Sequence, residues 1–121
     1  MSWIERINRW FRLVLDKRRF YIAMRVEDAP DSLKQDVVYL IGDSPTPWAA
    51  SLICPCGCGE TISLSLIPHD KPSWRARVLK DGSATLSPSI WRTKGCRSHF
   101  FIRNGRVLWA KEDVRDTSRR R

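Results

Sequence analysis

The chain has 121 residues, a hydrophobic fraction of 42% and a formal net charge of +9. That length makes one domain, with a core large enough to fold and small enough to profit from a metal staple. No apolar run in the sequence approaches the roughly 18 residues of a membrane span, and no secretory signal opens it, so a cytoplasmic, reducing location with free thiolates is expected.

The charge is uneven. Residues 1–20 carry six basic and two acidic side chains, and residues 111–121 carry five basic and three acidic. Basic ends of this kind attract nucleic acid, an anionic membrane surface or an acidic protein, or they serve only to keep a protein in solution.

At the start of the chain, Trp3, Ile4, Ile7, Trp10, Phe11 and Val14 recur at three- and four-residue spacing, with Arg6, Arg9 and Arg12 off that stripe. The pattern predicts an amphipathic helix over residues 1–20. Ser2 and Glu5 form a capping box in the right register, and the basic cluster Lys17-Arg18-Arg19 suits a helix C-terminus. The stripe packs on its own domain, lies on a membrane surface or docks on a partner protein, in which last case Trp3, Ile7, Trp10, Phe11 and Val14 are the contact residues.

After residue 20 the pattern turns from helical to alternating, and turn residues recur at short intervals. Strands are expected over residues 21–26, 37–41, 48–53, 61–66, 74–79, 84–87, 99–102 and 107–110. Ile62, Leu64 and Leu66 alternate with Ser63 and Ser65, and Trp74, Ala76 and Val78 with Arg75 and Arg77. Trp48, Trp74 and Trp109 fall in apolar strand patterns and read as core. Asp81-Gly82 and Asn104-Gly105 are hairpin signals of type I′, whose two central residues both take positive φ. Three regions follow: a basic helix (1–20), a metal-binding β domain (21–110) and a basic tail (111–121) expected to be disordered.

All four cysteines and one of the two histidines fall in two clusters, Cys54-Pro55-Cys56-Gly57-Cys58-Gly59 and Gly95-Cys96-Arg97-Ser98-His99. Thiolate and imidazole donors on sharp glycine-containing turns are the pattern of a metal site written in two halves. Cys54, Cys56, Cys58, Cys96 and His99 offer five donors to a site that usually takes four. Zinc is the expected ion, because three Cys and one His make a closed structural site. A Rieske-like iron–sulfur centre is the alternative: Cys96-Arg97-Ser98-His99 matches half of its motif, but Cys56-Gly57-Cys58 lacks the histidine of the other half. Both loops fall at strand starts, so the expected fold is mainly β. It is a small, metal-stapled antiparallel sheet with the two-loop plan of zinc ribbons and Rieske-like domains, plus the N-terminal helix.

The run Pro47-Trp48-Ala49-Ala50, the Cys54 to Gly59 motif, Pro88-Ser89-Ile90, Gly95-Cys96-Arg97-Ser98-His99-Phe100-Phe101-Ile102 and Val107-Leu108-Trp109 carry a resemblance. Over residues 22–109 the chain resembles a small bacterial family marked by CPCGCG and CRSHF motifs. Members of that family are associated with operons that carry ubiquitin-like proteins, adenylating activating-type enzymes and JAB-type peptidases. The resemblance therefore implies a zinc-binding component of a bacterial ubiquitin-like conjugation pathway in antiviral defence, with a ubiquitin-like protein and an adenylating enzyme as partners.

Within that setting two roles stand open, a conjugating-type carrier (a ubiquitin-like transferase) and a partner-binding adaptor. A carrier needs a nucleophile. A zinc-bound thiolate is tied up, so Cys54, outermost in its cluster, could serve only if it is the spare donor. Ser98, between Cys96 and His99, is the other candidate, with the metal and Arg97 available to stabilise an oxyanion, although a hydroxyl in a metal knuckle commonly bonds sulfur or backbone. Ser89 is a further hydroxyl, with turn capping as its simpler role. His69 lies in a Pro-rich, charged loop and reads as solvated. The alternative function is a zinc-ribbon nucleic-acid-binding module, for which the +9 charge and six tryptophans argue.

Overall fold

The computed structural model describes residues 11–112 apart from 44, 93 and 94. Nine strands follow in chain order: β1 (Phe11–Phe20), β2 (Ile22–Val26), β3 (Val37–Ile41), β4 (Ala49–Ile53), β5 (Thr61–Ser65), β6 (Arg75–Val78), β7 (Ala84–Trp91), β8 (His99–Arg103) and β9 (Arg106–Glu112). They form a five-stranded sheet in the order β1-β9-β8-β7-β6 and a four-stranded sheet in the order β2-β3-β4-β5.

Alternation along the strands sends one side of each sheet into a shared core. Val38 and Leu40 of β3, Leu52 of β4 and Ile62 and Leu64 of β5 meet Leu86 and Ile90 of β7, Phe100 and Ile102 of β8 and Val107 of β9. Tyr21, between β1 and β2, ties the two sheets together. Its ring is buried, its hydroxyl donates to the Ile53 carbonyl at 2.8 Å, and its backbone bonds Gly105 and Ala84. A smaller cluster of Val37, Tyr39 and Ile41 covers the other face of β3 with Val26 and Leu33, which is why all five residues of that strand are buried.

Two expectations change. The helix foreseen over residues 1–20 is a strand from Phe11 onward. Residues 1–10, with Trp3, Ile7 and Trp10, lie outside the described residues. Phe11 and Val14 belong to β1, which pairs antiparallel with β9. The 3-and-4 spacing at that end is short, and a long-range ladder partner decides the local conformation. Asp16 anchors the pairing: its buried carboxylate accepts from the Trp109 indole at 3.0 Å and from the backbone and guanidinium of Arg18. Second, the sheets are not purely antiparallel, because β2 runs parallel to β3 and the ten residues between them supply the crossover.

The two foreseen hairpins are present. Asn104 and Gly105 both take positive φ (52° and 80°), as a type I′ turn requires, and a Cβ on Gly105 would meet the Phe20 ring at 2.7 Å. At Asp81-Gly82 only Gly82 has positive φ, and the loop spans residues 79–83 with an Asp81 carboxylate accepting from Ser83 N–H. It is thus a longer turn than type I′. Trp74 and Trp109 pack against the core, whereas Trp48 is half exposed.

Candidate functional site

The link between β4 and β5 holds Cys54, Cys56 and Cys58, and the link between β7 and β8 holds Cys96. Glycine turns bring them together. Gly57 and Gly59 take positive φ in the first link, and Gly95 (φ 70°) does so in the second, a conformation that a residue with a Cβ rarely adopts. All four Sγ atoms lie within 4.8 Å of one another, with Cys54–Cys56 at 3.4 Å and Cys54–Cys96 at 3.7 Å. A tetrahedral ion with metal–sulfur bonds of about 2.3 Å needs sulfur–sulfur edges of roughly 3.8 Å, so the four cysteines fit one metal ion.

Two neighbours complete this group. Arg92 directs its guanidinium at Cys96 Sγ (3.7 Å) and Cys58 Sγ (3.9 Å), and pairs with Glu60 at 3.6 Å. Four thiolates on a divalent ion leave two negative charges, which a half-buried arginine offsets. Ser98 places its hydroxyl 3.2 Å from Cys96 Sγ and 4.0 Å from Cys54 Sγ. Among the sulfurs themselves, burial pushes the Cys54 thiol up to about 12, whereas Cys96, despite burial acting the other way, is held at about 6 by hydrogen bonds from Ser98 and the neighbouring thiols.

His99 is not brought into the sulfur group. Its Nε2 lies 2.9 Å from Ser89 Oγ, on the opposite side of the β7–β8 ladder from the core. The sequence of β7 explains the meeting. Pairing runs Leu86↔Ile102, then Ile90↔Phe100 and Trp91↔His99, so Ser87, Pro88 and Ser89 face Phe101 alone. Pro88 cannot donate to the ladder, and the strand bulges there. Beyond the bulge Ile90 returns to the core while Ser89 and Trp91 share the outer face with His99 and Phe101. Trp91 stacks on the imidazole at 4.7 Å with an interplanar angle of 6°, and Phe101 lies at 6.0 Å on the same ring. The Ser89 carbonyl accepts from the Trp74 indole at 3.2 Å, fixing the backbone at the serine.

A hydroxyl within hydrogen-bond reach of an imidazole is the minimal arrangement of an activated nucleophile. Burial lowers the His99 pKa below the ordinary histidine value. The ring is therefore neutral at pH 7 and able to accept a proton, provided that its own proton sits on Nδ1.

The two sites share one segment. Cys96 and His99 are three residues apart, and the backbone between them is pinned by the Arg92 N–H donating to the Ser98 carbonyl at 2.8 Å. Of the residues singled out from sequence, the structure brings Cys54, Cys56, Cys58 and Cys96 together, places Ser98 against their sulfurs and separates His99 from them. His69 is exposed in its loop. Cys54 is not peripheral but fully buried within the group. Arg92 and the pairing of Ser89 with His99 were not foreseen. The one sequence signal for the pairing was a serine two residues before Trp91 in a strand destined to lie beside His99.

Residues 25–110 match a family described as BubE, bacterial ubiquitination-like system serine protease. The chain belongs to this family. The match spans β3 to β8 entirely and so includes both the sulfur group and the Ser89–His99 pair. The family is part of a bacterial ubiquitination-like system. No curated protein and no solved structure matches the chain. No helix among the described residues is long and apolar enough to cross a membrane.

Proposed function

We propose that this protein is a serine peptidase acting within a bacterial ubiquitin-like conjugation pathway, with Ser89 as nucleophile and His99 as general base, and with zinc held by Cys54, Cys56, Cys58 and Cys96 as a structural ion. The observation that carries the reading is the 2.9 Å contact between Ser89 Oγ and His99 Nε2. The family description supplies the same class of chemistry. His99 Nε2 takes the Ser89 hydroxyl proton as the Oγ–carbon bond forms at the substrate carbonyl. The same proton passes to the leaving amine or alcohol as its bond to that carbon breaks. Water then attacks the acyl-serine: His99 Nε2 takes a proton from it as its oxygen bonds the acyl carbon, then gives that proton to Ser89 Oγ as the ester bond breaks, releasing the carboxylic acid product and restoring both side chains.

Zinc suits the four-sulfur group better than an iron–sulfur cluster. The sulfurs are spaced for a single ion, and a Rieske centre would require histidine ligands that this group does not contain. A bound zinc would supply folding energy and a fixed loop, leaving the chemistry to the chain's own side chains. With all four thiols in one group, a cysteine carrier of the ubiquitin-like protein has no support, and Ser98, turned toward sulfur, lacks a base at its hydroxyl among the contacts it makes here. A ubiquitin-like protein and its adenylating enzyme are the proposed partners, the former as the substrate of the peptidase. Salt-dependent nucleic-acid binding remains the competing reading of the +9 charge.

The test is turnover of a ubiquitin-like protein from the same pathway, either as a precursor or as a conjugate. Wild-type protein should cleave it, and Ser89→Ala and His99→Ala should each lower kcat/KM by at least about 100-fold, the typical range for losing a nucleophile or general base. Undiminished cleavage by Ser89→Ala would remove this assignment.

A further inference from the structure

We propose that the groove beside Ser89 is a subsite for a substrate carboxylate, positioned next to the scissile bond by Arg75 and Arg103. This rests on the peptidase reading and adds the substrate class. The groove encloses about 560 Å³, and Ser89 itself is part of its wall. Whatever residue fills it lies immediately beside the bond that Ser89 attacks.

The chemistry of the walls is consistent. Arg75 of β6 stands opposite Ser87 in the β6–β7 ladder, so it shares the outer face with Ser87 and, beyond the bulge, with Ser89. Arg103 follows His99 and Phe101 on the outer face of β8, at the two-residue spacing of a strand. Its guanidinium lies 5.6 Å from the centroid of the Phe101 ring, a cation–π contact that holds the charge over the groove. Pro88 and Phe101 supply an apolar floor, and Arg75 and Arg103 bring two guanidiniums to the wall. Guanidinium forks recognise planar carboxylates through paired N–H donors, and they do so more strongly where an apolar floor excludes water. An acidic side chain and the free carboxylate of a chain terminus present the same group, and both fit.

Matched Ala-based hexapeptides settle the point: one with Glu, one with Gln and one with Lys, each with a free or an amidated C terminus. Binding to Ser89→Ala protein is followed by NMR titration, and cleavage by wild-type protein by mass spectrometry. The Glu peptide should bind and turn over about five- to tenfold better than the Gln peptide. If the terminal carboxylate is the true ligand, the preference follows the free C terminus instead of the side chain. Arg75→Ala and Arg103→Ala should each reduce the carboxylate preference to below about twofold, and the double charge reversal Arg75→Glu/Arg103→Glu should transfer the preference to the Lys peptide. Equal binding of the Glu-free amidated Gln peptide and the carboxylate-bearing ones, or a preference that survives in both arginine variants, overturns the subsite. Fluorophosphonate labelling of wild-type protein checks the nucleophile separately. Absent labelling with intact carboxylate-selective binding would dismiss the peptidase and keep the subsite, and the reverse pattern would do the opposite.

Discussion

Removing the zinc proposed for the sulfur group should disable Ser89 without touching it. Cys96 lies three residues before His99, and the intervening backbone is held by the sulfur group on one side and by the bond from Arg92 N–H to the Ser98 carbonyl on the other. When the ion leaves, four thiols that had been drawn within 4.8 Å of one another repel or reprotonate, and the loop that feeds β8 loses its anchor. The Ser89–His99 contact of 2.9 Å has little tolerance, since an added ångström takes it out of hydrogen-bond range. Misplacement by about 1 Å costs roughly 100-fold in rate, or about 2.7 kcal/mol of transition-state stabilisation. The sandwich core should outlast the loop, because Phe100, Ile102, Leu52 and Val38 pack fully between the sheets. The assay is a chelator titration that follows zinc content, fluorophosphonate labelling rate and far-ultraviolet circular dichroism together. Labelling should fall about 100-fold in step with zinc while the β signal persists, and added zinc should restore it. Labelling that stays within twofold of the starting rate after all zinc has gone would refute the idea that the sulfur group positions His99.

Two further perturbations probe the same architecture. Trp91→Ala uncovers the His99 imidazole, so its pKa should climb back toward about 6.5. A neutral base is required, so activity rises with pH through the folded-state pKa. The acid limb of the wild-type profile should therefore lie below pH 6.5 and move upward in the variant, with a plateau loss of about two- to tenfold from the missing stack. Asp16→Ala leaves the Trp109 indole donor without its buried acceptor and should cost about 2 kcal/mol, read as a fall of roughly 6 to 10 °C in Tm. Hydrogen bonds from Arg18 and Trp109 hold the Asp16 carboxyl well below the usual carboxylate range. Its contribution is therefore present above pH 3.8 and is lost as pH falls further, so the stability gap between wild type and variant should narrow only in strong acid.

What could be read from the sequence follows from how locally each feature is encoded. The sulfur group was legible because three of its members sit within five residues and glycine turns accompany both halves. The strands of both sheets were legible where apolar and polar residues alternate, as in Ile62 and Leu64 of β5 or Phe100 and Ile102 of β8. β1 was not, since Leu13, Val14 and Leu15 are consecutive and do not alternate, and only β9 can tell that segment to extend. His99 was assigned to the metal because Cys96-Arg97-Ser98-His99 has the spacing of a ligand pair. Strand geometry overrides that spacing: His99 is already the first residue of β8, and pleating sends its ring to the face opposite Phe100. Ser89 could not be weighed properly without the register of β7 on β8, because a two-residue bulge at Pro88 decides which outward side chain meets the imidazole. The pair is thus a product of how β7 registers on β8 across ten residues of sequence, and no local motif announces it.

The central claim is that Ser89 is an activated nucleophile. Wild-type protein, Ser89→Ala, Ser98→Ala and His99→Ala should be treated with a fluorophosphonate, weighed intact and mapped by peptide mass. We expect a single adduct on Ser89 in wild type and in Ser98→Ala, none in Ser89→Ala, and labelling slowed by about 100-fold or more in His99→Ala. An adduct on Ser98, or labelling of Ser89 that proceeds at the same rate without His99, would contradict it.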